Sequence, residues 1–330
     1  MGAGAVGCWI GGCLQAAGVP VVFVGRPRVL DGLRAHGLKL TDLEGGARQL
    51  RADALDLRTS AAGVATPALV LLCVKSVATA SAAAELAHVL APGTLVVSMQ
   101  NGVSNASTAQ AAAPGLTVRP GMVPFNVARL SPGHYHRGTG GSGSALAAQE
   151  HPLLRPWQPR FAAAGVPLEL HADLVPLQWG KLLLNLNNAV NALSGLPLRA
   201  QLLQRDYRLC MAVLIDEALG ALRAAGITPA KLTPLPPAAL PTMLRLPTPI
   251  FRVLAARLLR IDAKARTSMA DDLAHGRITE IDALCGEVVR LARRHGTAAP
   301  VNERISELVH AWPSDPRSRS GAELRATLGV

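Results

Sequence analysis

Apolar residues follow two different patterns along the chain. In the first half, short continuous apolar runs alternate with longer segments of small apolar residues. The runs are "VPVVFVG", "ALVLLCVKS" and "LVVSMQNG", and the longer segments are "AVGCWIGGCLQAAG" and "ATASAAAELAHVL". Such runs are typical of strands buried on both faces, and the longer segments are typical of helices. Alternation at this spacing predicts βαβ units, and therefore a parallel sheet with helices on both faces.

The strand pattern fades after about residue 172. Apolar residues then recur at helical spacing in "LVPLQWGKLLLNLNNAVNALSGLPL", "DYRLCMAVLIDEALGALRAAG", "PIFRVLAARLLRIDA" and "TEIDALCGEVVRLARRHG". Between the two regions, the glycine- and proline-rich stretch 119–147 fits hairpins at the sheet edge or a cover over a site. We therefore predict a Rossmann-like α/β domain over 1–172, followed by an all-helical domain over 173–330.

A glycine-rich loop opens the chain. "GAGAVG" has the G-x-G-x-x-G spacing that brings backbone N–H groups and a helix amino terminus to a dinucleotide pyrophosphate. The alternative is a tight turn in a glycine-rich segment. The helix pattern that follows at once favours cofactor binding, for which the candidates are Gly2, Ala3, Gly4, Ala5, Val6 and Gly7.

The strand that normally precedes such a loop has no counterpart here, because only Met1 stands before the glycines. In a doubly wound sheet that strand is central and paired on both sides. We therefore expect a gap between the strands near Val21–Val24 and Leu69–Val74. We also expect the natural protein to carry about six to eight further residues with a strand pattern.

The end of the second apolar run indicates which cofactor is bound. "VGRPR" places Arg26 and Arg28 where an acidic residue would bind a free ribose 2′-hydroxyl, and no acidic residue occurs before Asp31. A guanidinium suits a 2′-phosphate by bidentate contact, so Arg26 favours NADPH over NADH. Arg28 is predicted to be a solvated surface residue.

Polar residues recur on one face of the leucine-rich segment "WGKLLLNLNN". On a helix, Lys181, Asn185 and Asn188 lie at i, i+4 and i+7. The alternative is a lysine that reaches water at a helix end, with the asparagines as caps. Because burying polar groups without a use is costly, we favour a site for a small, oxygen-rich molecule.

A second polar constellation lies in "GRITEID". Thr279 and Asp282 match the T-x-x-D pattern of a helix start, which makes Glu280 the first residue of the new helix. The positive backbone field there suits a carboxylate. This favourable position at a helix start explains the presence of Glu280 as well as a role in binding or catalysis does.

Composition argues against several classes of protein. The net charge is +11, but arginine carries nearly all of the positive charge and aromatic residues make up only 3%, so nucleic-acid binding is not expected. Five scattered cysteines without a C-x-x-C suggest neither disulfides nor zinc and fit a reducing, cytoplasmic location. The uncharged first 25 residues contain Gln15 and Pro20 and lack a basic start, which favours neither a signal peptide nor a membrane span. No metal site is predicted, and His134 and His136 are interpreted as structural or cofactor-side.

Taken together, these segments resemble the ketopantoate reductases (2-dehydropantoate 2-reductases) over nearly the whole chain. The resemblance rests on "GAGAVG", "CVKS", "QNG", "WGKLLLNLNNAVNALSGLP" and "SMADDLAHGRITEID", of which the last two are the most specific. It implies a Rossmann domain, a helical domain and an active site in the cleft between them. It also implies NADPH-dependent reduction of 2-dehydropantoate to (R)-pantoate in pantothenate biosynthesis, by a monomer or homodimer. The alternatives are a reductase of another 2-oxo acid and a non-catalytic NADP(H)-binding regulator.

The resemblance further implies residue roles. Lys181 would donate the proton to the carbonyl oxygen, and Glu280 would engage the substrate hydroxyl. The remaining implied positions are Asn185 and Ser268 for the substrate, Lys75 and Asn101 near the ribose and nicotinamide, and Arg26 for the 2′-phosphate.

Two positions depart from the family pattern. The second asparagine of the family often lies eight residues after the lysine, where this chain has Ala189, so Asn188 is predicted to substitute, with Asn187 as the alternative. Some members place an asparagine three residues before Ser268, where this chain has Ala265.

Overall fold

The computed structural model describes residues 1–64, 66–138, 145–256 and 265–330. The chain divides into two compact units, Met1–Leu174 and Val175–Val330. Residues 139–144 of the glycine-rich stretch and the end of the predicted helix "PIFRVLAARLLRIDA" lie outside the described residues.

Strands and helices alternate in the first unit. Its described strands are β1 (Val22–Val24), β2 (Leu38–Asp42), β3 (Ala47–Leu50), β4 (Asp56–Arg58), β5 (Val70–Leu72), β6 (Leu95–Ser98), β7 (Thr117–Met122), β8 (Val127–Ser131), β9 (His134–Arg137), β10 (Leu146–Gln149) and β11 (Leu168–His171). Its described α-helices are α1 (Ala5–Ala16), α2 (Pro27–His36), α3 (Thr79–Val89), α4 (Asn105–Ala112) and α5 (Gln158–Ala163).

These strands form three sheets. The largest has the order β11-β10-β7-β6-β5, in which β5, β6 and β7 run parallel and β10 runs antiparallel to β7. A four-stranded sheet has the order β3-β2-β9-β8, and β1 pairs with β4 alone. The predicted α/β architecture is confirmed. The stretch 119–147 supplies the β8–β9 hairpin to the second sheet and β10 to the first.

The predicted gap is present, because β1 and β5 belong to different sheets. The backbone of Met1–Ala3 bridges them at one end. Its first residue donates to Leu71 O (3.0 Å) and accepts from Cys73 N (2.8 Å), and its next two amides donate to Val24 O (2.8 and 2.9 Å). The glycine loop is therefore held between two strand ends.

Small residues bring α1 close to the strands. A Cβ on Gly11 would lie 2.7 Å from the Phe23 ring, and one on Gly12 would lie 2.6 Å from Leu38 Cδ2. Larger residues would push the helix away, since interiors are close-packed. This packing fixes the amino terminus of α1 beside the end of β1.

The described residues of the second unit form helices joined by loops, with no strand among them, which confirms the predicted helical domain. Its helices are α6 (Val175–Asn185), α7 (Asn187–Ser194), α8 (Leu198–Leu202), α9 (Arg205–Ala224), α10 (Leu240–Arg245), α11 (Thr248–Leu254), α12 (Ser268–Ala274), α13 (Ile281–Arg294), α14 (Pro300–His310) and α15 (Gly321–Leu328). Helix α9 packs against α10, α13 and α15. Its Glu217 caps α14, accepting from Val301 N (2.8 Å) and Asn302 N (2.9 Å).

Within the described parts of the chain, no helix combines the length and the apolar character that crossing a bilayer requires.

Candidate active site

The three glycines of the opening loop, Gly2, Gly4 and Gly7, differ in their steric surroundings. Gly2 has φ +97°, and a Cβ there would lie 2.6 Å from Val74 N. A Cβ on Gly7 would lie 2.2 Å from Gly2 O, so this glycine lets α1 pack against the loop. A Cβ on Gly4, by contrast, would meet no atom within 4 Å. This division into a turn, an open approach and close packing is what dinucleotide-binding loops require.

The amino terminus of α1 is suited to an anion. Gly4 is its N-cap, no side chain caps it, and its first turn contains no acidic residue. Free amides at a helix amino terminus bind phosphate groups through hydrogen bonds and the helix dipole. The geometry therefore fits a pyrophosphate against the predicted cofactor residues Gly2, Ala3, Gly4, Ala5, Val6 and Gly7.

Arg26 lies where β1 ends against this loop. A Cβ on Gly25 would be 2.6 Å from Ala3 Cβ, which shows how close the strand end and the loop are. Arg26 begins α2 as its N-cap and is exposed, as is Arg28. Asp31, the first acidic residue of the chain, lies within α2 and pairs with Arg34 on the surface (2.8 Å), whereas Arg26 stands at the strand end itself.

Sequence reasoning missed a second arginine near this strand end. Gly25 N donates to Arg58 O (2.9 Å), which places Arg58 next to the end of β1. Its guanidinium already donates to Asp56 Oδ1 (2.9 Å) and to Gly63 O (2.8 Å). Arg26 remains the better candidate for a 2′-phosphate.

Lys75 and Asn101 follow β5 and β6, at the carboxyl ends of neighbouring parallel strands. Ligands bind at this edge in open α/β sheets. Asn101 O accepts from the Ser76 hydroxyl (3.5 Å), which links the two loops directly.

A buried polar network below these loops holds them together. Gln100 Nε2 donates to Val74 O (2.9 Å) and to Thr79 Oγ1 (2.7 Å), and the Thr79 hydroxyl donates to Asn105 Oδ1 (2.9 Å). The Asn105 amide in turn donates to Asn101 O. The sequence pattern had no signal for this network, because its members come from separate segments.

In the second unit, α6 carries Lys181 in a partly buried position. Burial lowers the pKa of Lys181 to about 8, and the nearby Glu280 carboxylate opposes this shift by raising it. A lowered lysine pKa beside a specific charged partner is typical of a catalytic group.

Glu280 stands at the start of α13, but one position earlier than predicted. The helix begins at Ile281, and Glu280 is its N-cap without a side-chain capping bond. Thr279 Oγ1 accepts from Ile281 N (3.5 Å), so the predicted T-x-x-D box to Asp282 is not formed. The carboxylate still lies at the positive end of the helix.

The segment predicted to carry three polar residues on one helix is two helices. Leu186 separates α6, which ends at Asn185, from α7, which contains Asn188. Asn185 and Asn188 are both partly buried. Asn187 is buried instead, and its amide donates to Gln201 Oε1 (3.1 Å). Asn188 is therefore the better candidate of the two for a substrate contact.

Helix α7 also holds the start of α12, where Ser268 is exposed. Asn191 is fully buried, accepts from Thr267 N (3.0 Å) and donates to Leu196 O (3.0 Å). The Thr267 hydroxyl accepts from Ala270 N and lies 3.4 Å from Asn188 O. Thr267, the residue before Ser268, is thus held against the backbone of Asn188. Sequence reasoning missed both positioning residues, although a threonine before an apolar-periodic segment is an N-cap signal.

The two histidines that the sequence analysis singled out share one partner in the second sheet. His134 Nε2 and His136 Nδ1 each lie 2.9 Å from Thr41 Oγ1, in the second sheet. All five cysteines are free. Among the described residues, no group of histidine, cysteine and acidic side chains could hold a metal ion.

Comparison with known proteins places the chain in a family. Residues 1–145 match the family described as "Ketopantoate reductase PanE/ApbA", and residues 173–312 match "Ketopantoate reductase PanE/ApbA C terminal". The chain is 28% identical to the 2-dehydropantoate 2-reductase of Halobacterium salinarum, covering 95% of this chain and 98% of that protein.

Solved structures show the same fold. A PanE/ApbA family ketopantoate reductase from Ralstonia eutropha JMP134 superposes with a TM-score of 0.80 at 30% identity, covering 96% of this chain and 97% of that one. A D-mandelate dehydrogenase with NADH and anilino(oxo)acetate gives 0.75 at 17% identity, covering 95% and 97%. At that identity the second likeness shows the fold alone.

Proposed function

The chain belongs to the ketopantoate reductase PanE/ApbA family, and we propose that it reduces 2-dehydropantoate to (R)-pantoate with NADPH, a step of pantothenate biosynthesis. The family comprises nicotinamide-dependent reductases of small 2-oxo acids. In this proposal residues 1–172 bind the cofactor and 173–330 bind and protonate the substrate. The observation that carries it is the partly buried Lys181 beside Glu280.

Lys181 can perform the proton transfer. When the 2-oxo group is reduced, negative charge develops on its oxygen, and a positioned ammonium both stabilises that charge and protonates it. A pKa of about 8 leaves about nine-tenths of Lys181 protonated at pH 7, yet makes it a stronger acid than an ordinary lysine. Bound NADPH supplies the hydride.

The polar residues around Lys181 and α12 suit a substrate with a carboxylate and a hydroxyl. Amides of Asn185 and Asn188 and the hydroxyl of Ser268 can donate to a carboxylate. Glu280 is acceptor-only when ionised, so it can accept from the substrate hydroxyl but would repel a second carboxylate. This set favours ketopantoate over 2-oxo acids without a hydroxyl.

The glycine loop and Arg26 support NADPH as the cofactor. Gly4 leaves room for a pyrophosphate at the start of α1. The exposed Arg26 at the end of β1 can engage a 2′-phosphate. Asp31, the first acidic residue of the chain, pairs with Arg34 instead.

A reductase of another 2-oxo acid is the competing function. A D-mandelate dehydrogenase has the same fold, so phenylglyoxylate, the oxidised form of mandelate, is the aryl 2-oxo acid to test against ketopantoate. A non-catalytic NADP(H)-binding regulator is the third candidate, but it would need neither a buried lysine nor its carboxylate partner.

One assay separates these functions. NADPH consumption is followed with ketopantoate, with ketoisovalerate, which lacks the hydroxyl, and with phenylglyoxylate. We expect the highest kcat/KM with ketopantoate, and NADPH binding without consumption would favour the regulator. Lys181→Ala should lower kcat by about 10²–10⁴-fold, the usual loss for a positioned acid, while NADPH affinity is retained. Near-normal kcat in this variant would contradict the assigned role.

A further inference from the structure

Helix α6 carries a buried polar side chain that the proposed function does not use, that of Gln178. It is 7% exposed, and its amide makes no hydrogen bond among the residues that the structure describes. The other buried asparagine and glutamine side chains described in the second unit each make at least one hydrogen bond; they are Asn187, Asn191, Gln201 and Asn302. Burying an amide without a partner is costly, because the amide gives up its hydrogen bonds to water. Gln178 therefore calls for a partner from outside the chain.

The packing of α6 turns Gln178 toward the candidate substrate residues. At about 100° per residue, Gln178 lies about 60° around the helix axis from Lys181 and about 20° from Asn185. Gly180 lies on the opposite side of the helix, about 160° from Gln178. That side packs against the chain that follows α9, since a Cβ on Gly180 would lie 2.5 Å from Ala230 O. Gln178 consequently shares the face that carries Lys181 and Asn185.

The three polar side chains of this face follow one another along the helix axis. Lys181 comes three residues after Gln178, and Asn185 comes four residues after Lys181. Cβ atoms at these spacings are about 5–6 Å apart, so Lys181 stands between two amide side chains. In the 2-oxo acid, the carboxylate and the hydroxyl-bearing chain lie on opposite sides of the keto group that Lys181 would protonate. The proposed function assigns Asn185 to the carboxylate, which leaves Gln178, beyond Lys181, for the hydroxyl.

The substrate hydroxyl needs a donor as well as an acceptor. A hydroxyl donates one hydrogen bond and accepts through two lone pairs. Glu280 is acceptor-only when ionised, so it can accept the hydroxyl proton but cannot satisfy a lone pair. The amide of Gln178 has two N–H donors, either of which can do so. The two side chains are therefore complementary partners for one hydroxyl group.

We propose that Gln178 is a specificity-determining residue, whose side-chain amide donates to the hydroxyl oxygen of the 2-oxo acid while Glu280 accepts the hydroxyl proton. This inference rests on the proposed function. The bound hydroxyl gives the buried amide the partner that the folded chain does not supply. A 2-oxo acid without a hydroxyl leaves Gln178 unpaired, and sites built to bind a hydroxyl discriminate against analogues that lack it.

Gln178→Met tests the proposal, because methionine is close to glutamine in length and has no N–H donor. Initial rates of NADPH consumption give kcat/KM with ketopantoate and with ketoisovalerate. We expect kcat/KM for ketopantoate to fall about three- to tenfold, the loss for one neutral hydrogen bond, and that for ketoisovalerate to stay unchanged. The Tm of the free protein should be unchanged or higher, because an unpaired buried amide has been removed.

Gln201→Met is the matched control for stability. It makes the same substitution in the same unit, but Gln201 is buried with a partner, since its Oε1 accepts from the Asn187 amide (3.1 Å). This variant should therefore lower the Tm.

Three results would overturn the proposal. They are unchanged kcat/KM for ketopantoate in Gln178→Met, equal losses with the two substrates, and a Tm that falls as in Gln201→Met. The wild-type rates separate this failure from that of the proposed function. A wild-type enzyme that does not prefer ketopantoate to ketoisovalerate would overturn both, whereas a wild-type preference that survives in Gln178→Met would overturn only the role of Gln178.

Discussion

The ionisation of Lys181 should set the alkaline limb of the pH–rate profile. Burial lowers the Lys181 pKa from its ordinary 10.5 to about 8, which corresponds to about 3 kcal/mol of disfavour for the charged form. The proposed reduction needs the protonated amine, so kcat/KM should fall above pH 8, about tenfold for each further pH unit. The reverse oxidation needs the neutral amine and should show the opposite dependence.

Glu280→Gln tests whether the Glu280 carboxylate helps to set the pH at which this limb falls. The carboxylate raises the Lys181 pKa, so removing its charge should move the limb to lower pH. The ratio of wild-type to variant kcat/KM should then be larger at pH 8 than at pH 6. A simple loss of substrate affinity would lower both values equally. Asp282→Asn is the matched control, because this first-turn carboxylate of α13 pairs with His310 (2.9 Å).

The assay is the initial rate of NADPH consumption at subsaturating 2-oxo acid from pH 6 to pH 10, since kcat/KM reports the free enzyme. A wild-type limb near the ordinary lysine value would refute the burial argument. Identical limbs in Glu280→Gln and Asp282→Asn would refute the coupling to Glu280.

Three further predictions concern the cofactor loop and the support of α12. Arg26→Ala should raise the Kd for NADPH by more than that for NADH in fluorescence titrations, and equal losses would exclude a 2′-phosphate contact. Gly4→Ala should weaken NADPH binding, because its Cβ would occupy the space proposed for the pyrophosphate, but it should not lower the Tm, because that Cβ meets no protein atom. Gly7→Ala should weaken NADPH binding and also destabilise the fold by about 1–3 kcal/mol in denaturant titrations. Asn191→Ala removes two buried hydrogen bonds, so it should cost about 1–3 kcal/mol of stability and raise KM by displacing Ser268; an unchanged KM would limit it to a structural role.

Much of the fold could be predicted because it depends on local periodicity. Continuous apolar runs and helical spacing are readable within ten or twenty residues, and they correctly placed an α/β unit before a helical one. The second sheet escaped prediction, because β2 and β9 pair in parallel from distant segments. The break at Leu186 also escaped, since helical periodicity continues through it.

The candidate site shows the same division. The sequence alone determined which groups could do chemistry, since G-x-G-x-x-G spacing and a lysine in a leucine-rich helix are visible without a structure. Only the tertiary structure decided that Glu280 lies near enough to Lys181 to oppose the fall in its pKa, and that Asn187 turns inward to Gln201. Burial, charge proximity and hydrogen-bond partners are properties of the space around a side chain, and residues far apart in the sequence create that space.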